Sequence, residues 1–370
     1  MFDIISFMKY IFIVLSLLLL SGCFSSPQVK REELPNTTLV KNDFAALLSF
    51  NNENFDEVFA LFQKNCQTQK AQKLYGDLCN TGNIKNKREF FTKNFDLYKI
   101  VAKKKETTGL LTGYYEPLLH GSLKKSKIYK YPIYATPKDL VVVDLGAIYP
   151  ELKHYRLRGK LQDNKLVPYF TRAEFEKNAL TSAEVLCYCD SKIERFFLEV
   201  QGSGKVQLDN NTTINVGYSN QNGHKYSSIG KYLIQKGVIA KEDISLQSIK
   251  RWLEENPSQV DNVLNYNKSM VFFEQKDQGA TGSLGLELTP KRSVAVDRKY
   301  IPLGSVLYMD TDHKDIDPHI VFAQDTGGAI KGPLRVDLFL GSSQKAQEIA
   351  GRLKEKVDLW ILLPKKRIDE

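Results

Sequence analysis

Three aspartates sit where a carboxyl group could hold a proton. Asp297 ends the apolar run Val294-Ala295-Val296 and precedes Ile301-Pro302-Leu303-Gly304. Asp325 opens Asp325-Thr326-Gly327-Gly328, and Asp337 lies inside Arg335-Val336-Asp337-Leu338-Phe339. A carboxyl group among strand-forming apolar residues is partly desolvated, which favours its neutral form and lets it donate a proton near neutral pH. Taken singly, an aspartate beside a turn also serves to hydrogen-bond the backbone. A second set, Thr112, Tyr114, Tyr115, Gln201, Ser203 and Tyr218, combines ring faces with hydroxyl and amide groups. Rings cover apolar ligand surfaces and the polar groups orient them, which suits carbohydrate. The tyrosines are equally at home as half-buried strand residues. Lys331 could meet a carboxylate or offset charge at a reaction centre, although a solvated lysine is the simpler reading. His224, beside Gly223, is read as structural.

These residues need rigid elements to hold them. Phe55, Val58, Phe59 and Phe62 recur at helical spacing, and Lys87 to Asn94 reads as a second helix. Strand-like runs follow at Leu110 to Tyr115, Ile128 to Tyr134, Val141 to Leu145, Arg195 to Val200 and Lys205 to Leu208. Ser227 to Lys236 and Ser245 to Glu255 read as short helices, with Gly237 and Pro257 at their ends. Short strands at Met270 to Glu274, Ser293 to Val296, Ser305 to Met309, Ile320 to Ala323 and Val336 to Leu340 alternate with glycines. A helix over Gln344 to Lys354 and a strand over Leu359 to Leu363 close the chain. Strand spacing and turn residues predict a barrel rather than parallel βαβ units.

The chain has 370 residues, 42% hydrophobic and 26% charged, so one large or two ordinary soluble domains are expected. The net charge of +9 favours anionic partners, but the scattered Lys and Arg argue against nucleic acid. Ile11 to Leu20 is apolar apart from Ser16, shorter than the ~20 residues of a membrane span and suited to a secretory signal. Leu20-Ser21-Gly22-Cys23 looks like a bacterial lipobox with Cys23 as the lipidated residue, and Phe24 after it points to the outer membrane. Acyl chains contribute about 0.8 kcal/mol per buried methylene, so several anchor stably. An exported chain can form disulfides. Cys66 with Cys79 is favoured because it closes a short loop, whereas direct pairing of Cys187 with Cys189 would be strained. No two C-x-x-C knuckles occur, so no metal is expected.

Asp325-Thr326-Gly327-Gly328-Ala329-Ile330-Lys331-Gly332-Pro333, followed by Val336-Asp337-Leu338-Phe339-Leu340-Gly341, resembles the signature of the membrane-bound lytic murein transglycosylase A family, whose C-terminal module is named for three aspartates. Leu111-Thr112-Gly113-Tyr114-Tyr115-Glu116-Pro117 and Glu199-Val200-Gln201-Gly202-Ser203-Gly204 resemble further family motifs. So do Val216-Gly217-Tyr218, Asn222-Gly223-His224, Tyr226-Ser227-Ser228-Ile229-Gly230 and Asp297-Arg298-Lys299-Tyr300-Ile301-Pro302-Leu303-Gly304. The resemblance runs from about Asp43 to Pro364, and several motifs in one order are specific where any single one is weak. Leu340 departs from the pattern, since bulkier aromatics are common there.

The resemblance implies a mainly β fold with peripheral helices: a double-psi β-barrel with an inserted second, smaller β-barrel domain and a groove between them. Residues 1–22 would be a lipoprotein signal peptide and 23–40 the lipidated N-terminus and tether. Residues 41–116 plus 278–370 would form the catalytic barrel and 117–277 the insert. Glycan would lie against Thr112, Gly113, Tyr114, Tyr115, Gln201, Gly202, Ser203, Tyr218 and Lys331. Asp337 would be the acid/base, supported by Asp325 and Asp297. The implied reaction cleaves the β-1,4 bond between N-acetylmuramic acid and N-acetylglucosamine in peptidoglycan, leaving 1,6-anhydromuramic acid ends, with no cofactor. The expected protein is a monomeric outer-membrane lipoprotein facing the periplasm. Its partners would be peptidoglycan strands, the membrane and enzymes of wall synthesis or turnover. Two other readings stand beside this one. A non-catalytic peptidoglycan-binding lipoprotein would use the same scaffold. An aspartic protease would use Asp325-Thr326-Gly327, but the chain has one such triplet and would need a dimer.

Overall fold

The computed structural model describes residues 37–365 except 48, 153, 154, 156 and 179–182. The apolar leader, Cys23 and residues up to 36 of the expected tether lie outside the described residues. In chain order the strands are β1 (Thr37–Asn42), β2 (Phe95–Ala102), β3 (Thr108–Tyr114), β4 (Leu118–Ser122), β5 (Tyr131–Tyr134) and β6 (Val141–Val142). Next come β7 (Arg158–Gln162), β8 (Lys165–Pro168), β9 (Val185–Cys189), β10 (Ser203–Leu208), β11 (Thr213–Gln221) and β12 (Val271–Lys276). The last are β13 (Ser293–Val296), β14 (Val306–Asp310), β15 (His319–Asp325), β16 (Arg335–Phe339) and β17 (Lys354–Pro364).

Strands β17-β14-β15-β13-β16-β3 close into a six-stranded barrel, because β3 pairs with β17 as well as with β16. The length of β17 makes this closure possible. Lys354–Asp358 pairs with β3, Asp358–Leu362 with β14, and Trp360–Pro364 with β2. Alternation along each strand sorts the side chains. Leu307, Met309, Val294, Val296, Val336 and Leu338 fill one core with Leu111, Val321 and Leu359. Val306 and Tyr308 face the other way, into a core of Val58, Phe59, Phe62, Phe91 and Phe95. That second core is closed by helices α1 (Phe55–Asn65), α2 (Gln69–Tyr75) and α3 (Lys87–Asn94). A disulfide joins Cys66 and Cys79 across the end of α1 and the segment after α2, 13 residues apart. Replacing both by serine is expected to lower the unfolding free energy by about 2–4 kcal/mol, read as a shifted urea midpoint. An unchanged midpoint would mean that packing alone holds these helices.

A second sheet has the order β12-β11-β10-β4-β9-β5, and an isolated parallel bridge joins Ala135, just after β5, to Phe273 within β12. Helices α4 (Arg172–Asn178), α5 (Lys192–Gln201), α6 (Ile229–Gln235), α7 (Leu246–Glu255) and α8 (Val260–Tyr266) belong to the same stretch of chain. Phe196 and Phe197 of α5 pack with Ile229, Leu233, Leu253 and Leu264. A small third sheet has the order β6-β7-β8, and Arg158 of β7 donates from Nε to Asn220 Oδ1 of β11 at 2.7 Å. Helix α9 (Gln344–Ala350) lies against β3, where Gly113 leaves room: a Cβ there would meet Leu340 at 2.7 Å and the Ala350 Cα at 3.3 Å.

Several sequence expectations need correction. Arg195 to Val200 is helix α5, not a strand. Ser191 caps it by accepting from the Glu194 N–H, and Gly202 ends it in the left-handed region at φ 83°. The helix over Gln344 to Lys354 stops at Ala350, and β17 begins at Lys354 rather than Leu359. Ser126 accepts from the N–H groups of Ile128 and Tyr129, forming a turn, so β5 starts only at Tyr131. The run Val141 to Leu145 contributes two strand residues. Residues 37–40, expected as tether, form the start of β1 and pair with β2. Among the described residues, no helix is long and apolar enough to cross a membrane.

Candidate active site

The parallel register of β16 on β3 builds the site. It sets Asp337 directly opposite Thr112 and Phe339 opposite Tyr114. Because Val336 and Leu338 face the barrel core, Asp337 must face the other side, towards a cleft of about 1070 Å³. The cleft is walled on the barrel side by Asp297, Asp325, Lys331 and Asp337, and on the other by Gln201, Gly202, Ser203 and Tyr218. Its volume is at the upper end of what small-ligand pockets offer.

Asp337 is half-buried at this wall. Its Oδ1 accepts a short hydrogen bond from the Thr112 hydroxyl, and no described residue hydrogen-bonds its Oδ2. Burial pushes its carboxyl above the usual aspartate range. The negative charge of Asp325 adds to this, while the Thr112 hydroxyl and the Arg335 guanidinium oppose it. Asp325, at the end of β15, is also pushed up by burial, but its oxygens are committed. Oδ1 accepts from the Ser283 N–H at 2.9 Å, the Ser283 hydroxyl at 2.8 Å and the Thr326 N–H at 2.8 Å. Oδ2 accepts from the Tyr114 hydroxyl at 3.0 Å. Burial and the two carboxylates hold the Tyr114 phenol far above its ordinary range, so it stays a donor. Asp297 is buried and holds a loop: its Oδ2 accepts from Gly332 N–H at 2.9 Å and its Oδ1 from Lys299 N–H at 3.2 Å. Gly332 reaches it through a backbone at φ 103°, open to glycine and strained for other residues. Of the three aspartates, Asp337 is thus the one with an oxygen that accepts no hydrogen bond from a described residue.

The other residues singled out in the sequence divide. Tyr114, Gln201, Gly202, Ser203, Tyr218 and Lys331 line the cleft. Thr112 reaches the site through Asp337. Gly113 packs under α9 instead. The Tyr115 side chain is buried in the barrel core, and its backbone N–H donates to Gln201 Oε1 at 3.0 Å, which ties the two walls together. His224 lines the cleft with its Nε2 2.8 Å from the Tyr169 carbonyl, a hydrogen bond that fixes the ring. Sequence reading missed Arg335, Ser283 and the buried ion pair of Arg172 with Glu199, although Arg172 and Glu199 both line the cleft. Nothing in the local sequence marks Ser283 as a partner of Asp325, since 42 residues separate them. Among the described residues no group of three or more His, Cys, Asp or Glu could hold a metal ion. Cys187 and Cys189 are buried as free thiols, both pushed up to about 12 by burial, which leaves them unreactive.

Residues 110–274 match the family described as the MltA specific insert domain, and residues 292–363 match the 3D domain. The chain is 32% identical over 263 residues to a membrane-bound lytic murein transglycosylase A homolog of Buchnera aphidicola, a match that spans 68% of this chain and 65% of that protein. Its fold is similar to that of MltA from Neisseria gonorrhoeae, with a TM-score of 0.76 and 30% identity, covering 89% of this chain and 93% of that one. It is also similar to E. coli MltA with bound chitohexaose, with a TM-score of 0.67 and 26% identity, covering 90% and 96%.

Proposed function

The chain belongs to the membrane-bound lytic murein transglycosylase A family of peptidoglycan lytic transglycosylases, and from that premise we propose that Asp337 alone serves as acid and then base. The observation that carries this is the Asp337 carboxyl, desolvated, with one oxygen held by Thr112 and the other open to the cleft. Protonated Asp337 donates to the glycosidic oxygen between N-acetylmuramic acid and N-acetylglucosamine. Positive charge grows at the muramyl C1. The same carboxylate then takes the proton of the sugar's own C6 hydroxyl, whose oxygen closes on C1 as a 1,6-anhydro ring. Hydrolytic glycosidases use two carboxylates, as nucleophile or as base for water. An internal nucleophile removes that need, because its proximity replaces a second reactant. Asp325 and Asp297 support the site by positioning Tyr114 and the loop that carries Lys331.

The closed six-stranded barrel is read as a double-psi barrel of residues 41–116 and 278–370, and the second sheet as an inserted barrel of residues 117–277. The chitohexaose bound by the E. coli relative supports a glycan in the cleft, where Tyr218 is 38% exposed and offers a ring face. The protein is membrane-associated in this reading, anchored to the outer membrane through lipid on Cys23.

The pH dependence of glycan cleavage tests the role of Asp337. Its carboxyl must start protonated, and its proton affinity is raised by burial. Activity is therefore expected to hold on the acid side until the protein unfolds, and to fall as pH rises past that raised value. Activity that climbs steadily through neutral pH would mean that a base, not this acid, limits the reaction.

A further inference from the structure

The direction of the hydrogen bonds around Asp337 is set by a residue two positions before it. Arg335 and Asp337 share a face of β16 because strand side chains repeat every second residue. The Arg335 guanidinium is held by two backbone carbonyls. Its Nη1 donates to the Val336 carbonyl at 2.6 Å and to the Leu110 carbonyl at 3.3 Å. Its Nη2 donates to Thr112 Oγ1 at 2.8 Å. A guanidinium has donors and no acceptor, and a hydroxyl has one proton. The Thr112 proton must therefore point away from Arg335, and it points to Asp337 Oδ1. Oδ1 remains an acceptor in both protonation states, so the acid proton belongs on Oδ2.

We propose that Arg335 is a positioning residue acting through Thr112, which fixes the hydroxyl's direction so that Oδ2 alone donates to the glycosidic oxygen and alone takes the proton back. This rests on the reading of Asp337 as acid/base. The proton that leaves Oδ2 for the leaving sugar is replaced by the one from the C6 hydroxyl, so the step needs no outside base. The guanidinium charge also favours the carboxylate formed when that proton leaves. The relay was hidden in the sequence, since Thr112 lies 223 residues from Arg335 and meets it only through the β3–β16 register.

The test is kcat/KM for peptidoglycan cleavage against pH, for the full chain and for Arg335→Gln, Arg335→Lys, Thr112→Val and the double variant Arg335→Gln/Thr112→Val. Arg335→Gln is expected to lose roughly ten- to hundredfold. Its alkaline limb should move to higher pH, because the charge that opposed proton retention is gone. Arg335→Lys should keep that limb near wild type yet lose rate, since an ammonium lacks the planar fork. The double variant should lose no more than the worse single one, because the two residues act in one chain. Losses that multiply, a wild-type limb in Arg335→Gln, or a rise in KM alone would overturn the relay. Thr112→Ser, which keeps the hydroxyl, should retain most activity; if it is as impaired as Thr112→Val, the hydroxyl is not the link. Asp337→Asn measured alongside separates the two claims: an active Asn variant removes the acid/base assignment itself, whereas an inactive one leaves the relay to stand or fall on the limbs.

Discussion

Replacing Asp337 by asparagine is expected to reduce glycan cleavage by at least the ~10²–10⁴-fold that proton transfer contributes, while leaving glycan binding intact. Asparagine keeps the shape of the side chain and can still accept from Thr112, but it has no proton of the right acidity at the open position. The loss should reach both halves of the reaction, because one carboxyl group is asked to give and to take the proton. Asp325→Asn should behave differently. It would disturb the oxygens that hold Ser283, Thr326 and Tyr114, and so loosen the wall of the cleft and weaken binding as well as turnover. The Asp337 variant carries a second signature. The carboxyl's folded-state proton affinity is raised, so the wild type is penalised once that group ionises. Below the unfolded-state value of about 3.9 both states hold the proton and the penalty vanishes. Asp337→Asn should therefore melt higher than wild type at neutral pH, with the gap closing as pH falls through that range. A variant that melts lower at pH 7 would mean that Asp337 stabilises the fold as an ion.

Glu199→Ala is expected to destabilise the protein by about 3–5 kcal/mol, measured by urea unfolding. Arg172 Nη1 and Nη2 donate to the two oxygens of Glu199 at 2.9 and 2.7 Å, and both side chains are almost fully buried, at 2% and 3% exposed. Glu199 Oε2 also accepts from the Val271 N–H at 3.1 Å. Removing the carboxylate leaves the guanidinium charge without a counter-ion and that N–H without its acceptor. The guanidinium keeps the Asn267 and Ser269 carbonyls and its place over the Phe196 ring, which limits the loss but does not neutralise the charge. Because α5 carries both Glu199 and, two residues on, Gln201, loosening it should also disturb the tie from Gln201 to Tyr115. Glu199→Gln, which keeps the shape, should cost less. A Glu199→Ala protein as stable as wild type would show that the pair is offset by what it cost to bury.

The barrel strands around the three aspartates were legible because alternating or continuous apolar runs and glycine turns mark them locally, as in Ser293 to Val296, which forms β13 over those same residues. Helix α5 was misread because Phe196-Phe197-Leu198 looks like a strand core. The better signal was at its ends, Ser191 with Glu194 and then Gly202. Helix α8, after Pro257, left too short a pattern to see. The three aspartates that line the cleft could be named from sequence, but their partners could not. Ser283 for Asp325 and Arg335 for Thr112 are contacts made by sheet register and chain return, which no window of residues reports. Tyr115 shows the converse: beside Tyr114 it reads as a second sugar-stacking ring, yet strand alternation turns it into the barrel core.

The most direct test of the central claim is the mass of the products. Purified peptidoglycan would be digested with the protein and its muropeptides weighed. The single-carboxyl mechanism predicts ends of 1,6-anhydromuramic acid, one water lighter than hydrolysis products. Fully hydrated reducing ends would contradict it, because water would then be the nucleophile and a second carboxylate, Asp325 first, would have to share the work.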